Sequence, residues 1–242
     1  MNLPPSSERA AYVQQMFRRI AARYDLLNRL MTAGQDVRWR KEVIRRAGLH
    51  AGSRLLDLGT GTGDLAFEAL KQQPGCRVIA ADFTLEMMRV GQRRARPRLA
   101  AAGVQLDWCA ADALHLPFFS SSFDTVVSGF LMRNVIDLAA CLREQQRVLK
   151  PGGRVVILDT TRPQPGLLAP FVKFHLGVVI PLLGRLLSGY APAYTYLPGT
   201  TQAFLSAEEL ASCLQAAGFQ AIGFRRLMFG TIAIHWAEKP VK

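Results

Sequence analysis

Apolar residues recur at three- and four-residue steps from Val13 through Met16, Phe17, Ile20, Tyr24 and Leu27 to Leu30, the spacing that places them on one face of a helix. A second, shorter helix is predicted from Asp36 to Ala47, where Gly48 ends it. From Arg54 the period changes. Short apolar runs near 54–58, 77–82, 104–109, 124–129 and 154–159 alternate with helical stretches, which predicts βαβ units and a parallel sheet. A helix from Ile136 to Leu149 is predicted to stop at Lys150-Pro151-Gly152-Gly153, because proline breaks it and two glycines let the chain turn into the next strand. Residues 163–205 interrupt the rhythm with an apolar, proline-punctuated segment that reads as an insertion. Ser206 and Glu209 then have the spacing of a capping box, Gly218 closes that helix, and two last strands are predicted near 219–227 and 230–237. The predicted fold is α/β: a Rossmann-like, mostly parallel seven-stranded sheet with helices on both faces. Residues 1–52 are expected to form an N-terminal helical arm packed on the core, and residues 53–242 the main domain, with the insertion after strand five.

Composition narrows the class. The chain has 242 residues, half of them apolar, with 30 Lys and Arg against 18 Asp and Glu and a formal charge of +12. Intrinsic disorder is excluded, because it requires low hydrophobicity as well as high charge. Cys76, Cys109, Cys141 and Cys213 form no C-x-x-C pair, so neither a disulfide framework nor a zinc site is expected, and a reducing, cytoplasmic setting is. The first ten residues lack the apolar core of a signal peptide. The longest apolar stretch, Gly166 to Leu187, is interrupted by Pro170, Lys173, His175, Pro181 and Arg185, so no spanning helix is predicted. The excess positive charge asks for an anionic partner, nucleic acid or a membrane surface.

The most informative stretch runs from Leu55 to Asp64, LLDLGTGTGD. Gly59, Gly61 and Gly63 stand where a buried strand turns into a helix, so backbone can approach a ligand without interference from Cβ atoms. Asp82 follows at the end of the second strand, where a carboxylate can accept both hydroxyls of a ribose. A dinucleotide loop places its third glycine one residue later and leaves the helix N-terminus open to a pyrophosphate. Here Asp57 and Asp64 would repel one. S-adenosylmethionine carries a sulfonium, an ammonium and a single carboxylate, so acidic residues around the loop suit it. Asp57 and Asp64 also have plain readings as a strand-end residue and a helix cap. Asp112-Ala113, past the third strand, is placed to meet an adenine amine or to make a turn. His115 reads as a loop or a pocket residue.

Together the motifs resemble the menaquinone/ubiquinone biosynthesis C-methyltransferase family, within the class I S-adenosylmethionine-dependent methyltransferases. The likeness runs over roughly residues 13 to 238. It includes Val13-Gln-Gln-Met-Phe17, Tyr24-Asp25-Leu-Leu-Asn28, Trp39-Arg40, Leu116-Pro-Phe118, Arg133-Asn134-Val135, Arg147-Val-Leu-Lys-Pro-Gly-Gly153 and Tyr194-Thr-Tyr-Leu-Pro198. The resemblance implies methyl transfer to a ring carbon of a prenylated quinol in respiratory quinone biosynthesis. It implies cofactor contacts at Thr62, Asp82, Asp112, Ala113 and Gly129 besides the loop glycines. This chain departs from the family in having Arg18 where Asp is usual and Leu131 where Gly is usual.

Transfer from a sulfonium needs an aligned acceptor, excluded water and a stabilised phenolate. Arg133 and Asn134 are candidates for holding the acceptor oxygen, or else cap the following helix. Tyr24 and Asp25 in the arm, with Tyr194 and Tyr196 in the insertion, are candidates for closing over the ring, or else pack. The paired arginines Arg18-Arg19, Arg45-Arg46, Arg93-Arg94 and Arg225-Arg226 read as solvated faces. RNA is not the expected partner, because Ser128 to Val135 carries neither an Asn/Asp-Pro-Pro-aromatic run nor a nucleophilic Cys, and stacking aromatics do not interleave the charge. Residues 164–190, apolar with interspersed cations, are expected to dock on an anionic membrane surface or to form a lid.

Overall fold

Seven strands form one sheet in the order β3-β2-β1-β4-β5-β7-β6. They are β1 (Arg54–Leu58), β2 (Arg77–Asp82), β3 (Gln105–Ala110), β4 (Phe123–Gly129), β5 (Leu149–Thr160), β6 (Gln220–Leu227) and β7 (Ile232–Glu238). This computed structural model describes residues 6–99, 105–163, 169–179, 182, 199–201 and 203–241. Every pairing is parallel except those of β7, which runs antiparallel to both neighbours. Strand order reverses between β1 and β4, and in such a sheet the crevice at the carboxyl ends of those strands is the natural ligand site.

Eight helices surround the sheet in the described residues: α1 (Ser6–Ile20), α2 (Tyr24–Met31), α3 (Gln35–Ala47), α4 (Asp64–Gln72), α5 (Leu85–Leu99), α6 (Leu138–Val148), α7 (Ala169–Phe174) and α8 (Ala207–Ala216). On one face Trp39, Val43 and Ile44 of α3 and Ala66 and Ala69 of α4 pack against Leu55, Val78, Val127 and Val156. On the other, Leu142 of α6 and Leu210 and Leu214 of α8 pack against Leu56, Phe123, Val126 and Ile157. Both faces are covered, so β1 and β4 read as apolar runs rather than alternating ones. The capping box forms as its spacing predicts, with Ser206 and Glu209 each bonding the other's backbone.

Two boundaries differ from the sequence pattern. The apolar period from Val13 to Leu30 is continuous, yet the helix breaks at residues 21–23, where the Arg23 N–H donates to the Ile20 carbonyl at 2.9 Å. The break lets Phe17 and Tyr24 meet edge to face at 5.7 Å and closes a small cluster of Met16, Ile20 and Leu27. Leu30, predicted on the apolar face, is 43% exposed. The expected arm therefore divides: α3 belongs to the core of the sheet, while α1 and α2 share a cluster of their own. The second difference is β5, which begins at Leu149 rather than after the glycines. Phe123 pairs with Leu149 and Thr125 with Arg154, so residues 150–153 bulge opposite Asp124. A Cβ on Gly153 would lie 2.8 Å from the Lys150 carbonyl and 3.0 Å from that of Asp124, which explains the second glycine. Tyr194, Tyr196 and most of the 164–190 segment lie outside the described residues.

His235 on β7 gives the fold a pH dependence. Its ring is 1% exposed, Nε2 lies 2.9 Å from the Ala207 carbonyl, and Nδ1 has no partner among the described residues. Burial pushes its pKa from 6.5 down to about 4. The unfolded chain therefore binds the extra proton between those values, and stability present above pH 6.5 is lost as pH falls towards 4, by about 3 kcal/mol in all. Urea denaturation of His235→Phe beside the wild type should show that difference in slope. Parallel pH profiles would remove His235 as its source.

Candidate active site

The glycine loop leaves β1 at Leu58. Gly59, Gly61 and Gly63 have φ of 69°, 57° and 87°, all in the left-handed region that costs other residues strain. The Gly59 and Thr60 N–H groups donate to the Ala81 carbonyl at 2.8 and 2.9 Å, tying the loop to β2. A Cβ on Gly59 would stand 3.0 Å from the Leu131 side chain, and one on Gly63 would stand 2.9 Å from the Trp108 ring. Asp82 accepts from the Gly61 and Thr84 N–H groups, both at 2.7 Å, and burial raises its pKa. Asp57 is fully buried. Its Oδ2 accepts from Thr60 Oγ1 at 2.6 Å and from the Ala66 N–H at 3.0 Å, while its Oδ1 has no partner among the described residues. Burial, reinforced by Asp82 and Asp64, pushes its pKa up to about 7.

Between the carboxyl edge of the sheet and the arm lies a cavity of about 100 Å³. The sheet side supplies Gly59, Gly61, Asp82, Ala111, Ala113 and Gly129; the arm supplies Val13, Gln14, Phe17 and Tyr24; Phe83, Leu131 and Asn134 complete its wall. A smaller pocket of about 40 Å³ shares Tyr24, Gly59, Gly61, Gly129 and Phe130 with it and adds Arg40, Asp57, Thr62 and Asp64. The structure thus brings together Asp57, Gly59, Gly61, Thr62, Asp82, Ala113, Gly129, Tyr24 and Asn134 from the residues singled out in the sequence.

Four others are placed differently. Arg133 lines neither space. Its side chain is 6% exposed and paired with the 1% exposed Asp159 at 3.0 Å, with its guanidinium 5.1 Å from the centre of the Phe130 ring. Asp25 accepts from Thr62 Oγ1 at 2.6 Å and from Arg94 Nη1 at 2.7 Å, so its carboxylate fastens α2 to the glycine loop instead of facing the cavity. Gly63 stands behind the loop at the start of α4, against Trp108 and Phe67. Asp112 lies at the rim with its carboxylate half exposed and accepting from the Leu114 N–H at 2.9 Å; His115 beside it is 86% exposed. Arg18 points away from the cavity to Glu86 on α5 at 3.2 Å, whereas Leu131 does line it.

Two residues at the site were not singled out in the sequence. Arg94 of α5 bonds Asp25, the Thr62 carbonyl and Asp64 at 2.7, 3.1 and 2.6 Å, although its pattern is that of a solvated face. Phe130, bordering both spaces, holds a left-handed φ of 61°, fixed by its N–H on the Leu158 carbonyl at 2.7 Å and by Asn134 Nδ2 on its own carbonyl at 2.9 Å. Its positive φ and its position straight after β4 make it a positioning element that pattern alone does not reveal.

A glycine-lined crevice at the switch point of a parallel sheet, with β7 running antiparallel between β5 and β6, defines a Rossmann-like class I methyltransferase fold. The [4+2]-cyclase SpnF shares it with a TM-score of 0.70 at 20% identity, over 95% of this chain and 96% of that one. Phosphoethanolamine N-methyltransferase 2 of Haemonchus contortus, in complex with S-adenosyl-L-methionine, does so at 0.63 and 18% identity, over 84% of this chain and 52% of that one. One of the two is a cyclase, so likeness at this level shows the fold and leaves the chemistry open. Sequence is decisive. The ubiE/COQ5 methyltransferase family model matches residues 6–239. The ubiquinone/menaquinone biosynthesis C-methyltransferase UbiE of Desulfotalea psychrophila is 45% identical over 227 residues, 94% of this chain and 90% of that protein. The demethylmenaquinone methyltransferase of Thermus thermophilus is 42% identical over 93% of this chain and 100% of its own length. The chain belongs to the ubiE/COQ5 methyltransferase family.

Proposed function

We propose that the protein transfers a methyl group from S-adenosylmethionine to a ring carbon of a prenylated quinol, a demethylmenaquinol or a related benzoquinol, in respiratory quinone biosynthesis. The observation that carries this reading is the division of the cavity: carboxylates on the sheet side, apolar and aromatic side chains on the arm side. The acidic half fits the donor. Asp82 presents a carboxylate beside the glycine loop for the ribose hydroxyls, and Asp57 keeps an unpaired, buried oxygen for a cation. When bound, S-adenosylmethionine supplies a methyl group activated by its sulfonium.

The chain's residues do the rest. Val13, Phe17, Leu131 and Phe130 offer the apolar wall against which an aromatic acceptor lies and from which water is excluded. Burial raises the pKa of the Tyr24 phenol, opposed by Asn28, Arg133 and Arg40, so Tyr24 keeps its proton at neutral pH. Its hydroxyl then donates to the acceptor oxygen as negative charge develops there. Asn134 fixes the Phe130 backbone and closes the same wall.

A prenylated quinol dissolves in bilayer, and no helix among the described residues is long and apolar enough to cross a membrane. Because that acceptor lies in the bilayer, we propose that the enzyme works at the membrane surface as a cytoplasmic, peripheral protein. Phe171, Phe174, Val178 and Leu182 in the inserted segment are 57%, 56%, 47% and 54% exposed, and the +12 charge favours anionic head groups. Purified protein given S-adenosylmethionine and a demethylated naphthoquinol beside a benzoquinol should methylate ring carbon of one or both. Methyl incorporation into neither would overturn the reaction. Co-sedimentation should favour anionic over neutral vesicles and weaken with salt, and Phe174→Ser with Leu182→Ser should abolish it without moving the denaturation midpoint. Indifference to vesicles would overturn the surface location alone.

A further inference from the structure

Beyond the Leu227–Ile232 pair, strands β6 and β7 are joined by Met228, Phe229, Gly230 and Thr231. The first three have φ of 47°, 56° and 80°. Left-handed residues at a hairpin tip are ordinarily Gly, Asn or Asp, because a Cβ strains that conformation. Two of these carry large side chains. Met228 packs against the core face that holds Ile232 and Ile234, so burial offsets its strain. Phe229 has no such return, since it is 60% exposed. The tip is nevertheless held in place: the Thr231 N–H and Oγ1 donate to the Met228 carbonyl at 3.1 and 2.8 Å, and the Thr161 N–H, just past β5, donates to the Thr231 carbonyl at 2.9 Å. Strain kept at a fixed and exposed aromatic residue points to a role outside the fold.

The position of the tip narrows that role. Because β7 runs antiparallel to both β5 and β6, β6 runs parallel to β5, and the hairpin lies on the same edge of the sheet as Gly59, Asp82 and Gly129 of the cavity. On that edge the Phe229 ring meets Phe171 of α7 edge to face, with centroids 5.9 Å apart. Phe171 is itself 57% exposed, and Phe174, three positions along α7, is 56% exposed. Two segments distant in sequence thus join their exposed rings into one patch, which singly scattered surface residues do not do. A formal charge of +12 matches such a patch to an anionic surface.

We propose that the β6–β7 hairpin is a second membrane anchor, in which Phe229 enters the interface of an anionic bilayer beside Phe171. This rests on the membrane-surface reading and adds to it a contact fixed to the sheet itself. Hairpin and inserted segment together then turn the cavity's edge of the sheet towards the bilayer that dissolves the acceptor.

Vesicles of phosphatidylglycerol and phosphatidylcholine test this without turnover. Phe229→Asn should weaken co-sedimentation about 10-fold, the effect of withdrawing one large aromatic side chain from an apolar phase. Its urea midpoint should stay near that of wild type, because Asn tolerates a left-handed φ and so offsets the lost Phe171 contact. Phe229→Trp keeps an aromatic ring at the tip and should bind vesicles as wild type does. The indole it adds to the three native tryptophans should be quenched by brominated acyl chains, beyond any quenching in wild type. That second readout decides the matter if Phe229→Asn does not fold. An added indole untouched by brominated lipid, or a folded Phe229→Asn that binds vesicles as wild type does, would overturn the hairpin as an anchor and leave the surface location standing. A wild type indifferent to vesicles would overturn both.

Discussion

Arg133→Ala is expected to destabilise the fold by about 3–5 kcal/mol, because it strands a buried carboxylate. Asp159 is 1% exposed and receives Arg133 Nη1 at 3.0 Å. Burial already raises the pKa of Asp159, and the Arg133 guanidinium is the largest influence opposing that rise. Without it the carboxyl must take up a proton or leave the core. Urea denaturation measures the loss directly. Replacing both partners by apolar residues of similar volume, Arg133→Met with Asp159→Leu, should recover most of it, since the cost comes from the unpaired charge and not from the absence of the pair. If Arg133→Ala keeps the wild-type midpoint and loses only turnover, its guanidinium faces the acceptor after all.

The misplacement of Arg133 shows where sequence stops being legible. Strands β1, β2 and β4 are readable to within a residue, because a strand covered on both faces shows a nearly continuous apolar run instead of an alternating one. The glycine loop, Asp82 and the capping box are readable for a similar reason: each depends on neighbours within a few positions or on one strand end. Arg133 reads as a candidate for holding the acceptor oxygen, and its burial leaves no local signal, since that depends on Asp159, 26 residues onward on β5. Arg94 was read as solvated, and its partner Asp25 lies 69 positions away. One signal was available. Gly91 sits a turn before Arg94, and a Cβ there would fall 2.2 Å from the Trp108 ring and 2.9 Å from the Thr62 carbonyl. That glycine lets α5 press on the loop closely enough for Arg94 to reach Asp25 and Asp64. The break at residues 21–23 left no trace, because the Phe17–Tyr24 contact that closes it keeps the helical period intact across the bend.

The stability of Asp57→Asn relative to wild type is expected to swing by about 4 kcal/mol between pH 4 and pH 8. The folded chain holds the Asp57 proton up to about pH 7, whereas the ordinary value is 3.8. Folded protein therefore binds more protons than unfolded protein in that window, and wild type loses stability as pH rises through it, opposite in sign to His235. Asparagine stays neutral throughout. Its carbonyl can accept from Thr60 and Ala66 as Oδ2 does now, and its amide group occupies the place of the unpartnered Oδ1. An unpaired buried donor costs about 1–3 kcal/mol, so the variant should be less stable than wild type at pH 4 and more stable at pH 8. Affinity should move the other way. At pH 8 the ionised Asp57 faces a cation when S-adenosylmethionine binds, and the amide offers it a donor instead, so Asp57→Asn should bind the donor about 10- to 100-fold more weakly. Chemical denaturation across the pH range and calorimetry at pH 8 read the two effects independently. A variant whose stability runs parallel to wild type would show that Asp57 is ionised throughout, and one that binds the donor normally would remove its Oδ1 from the site.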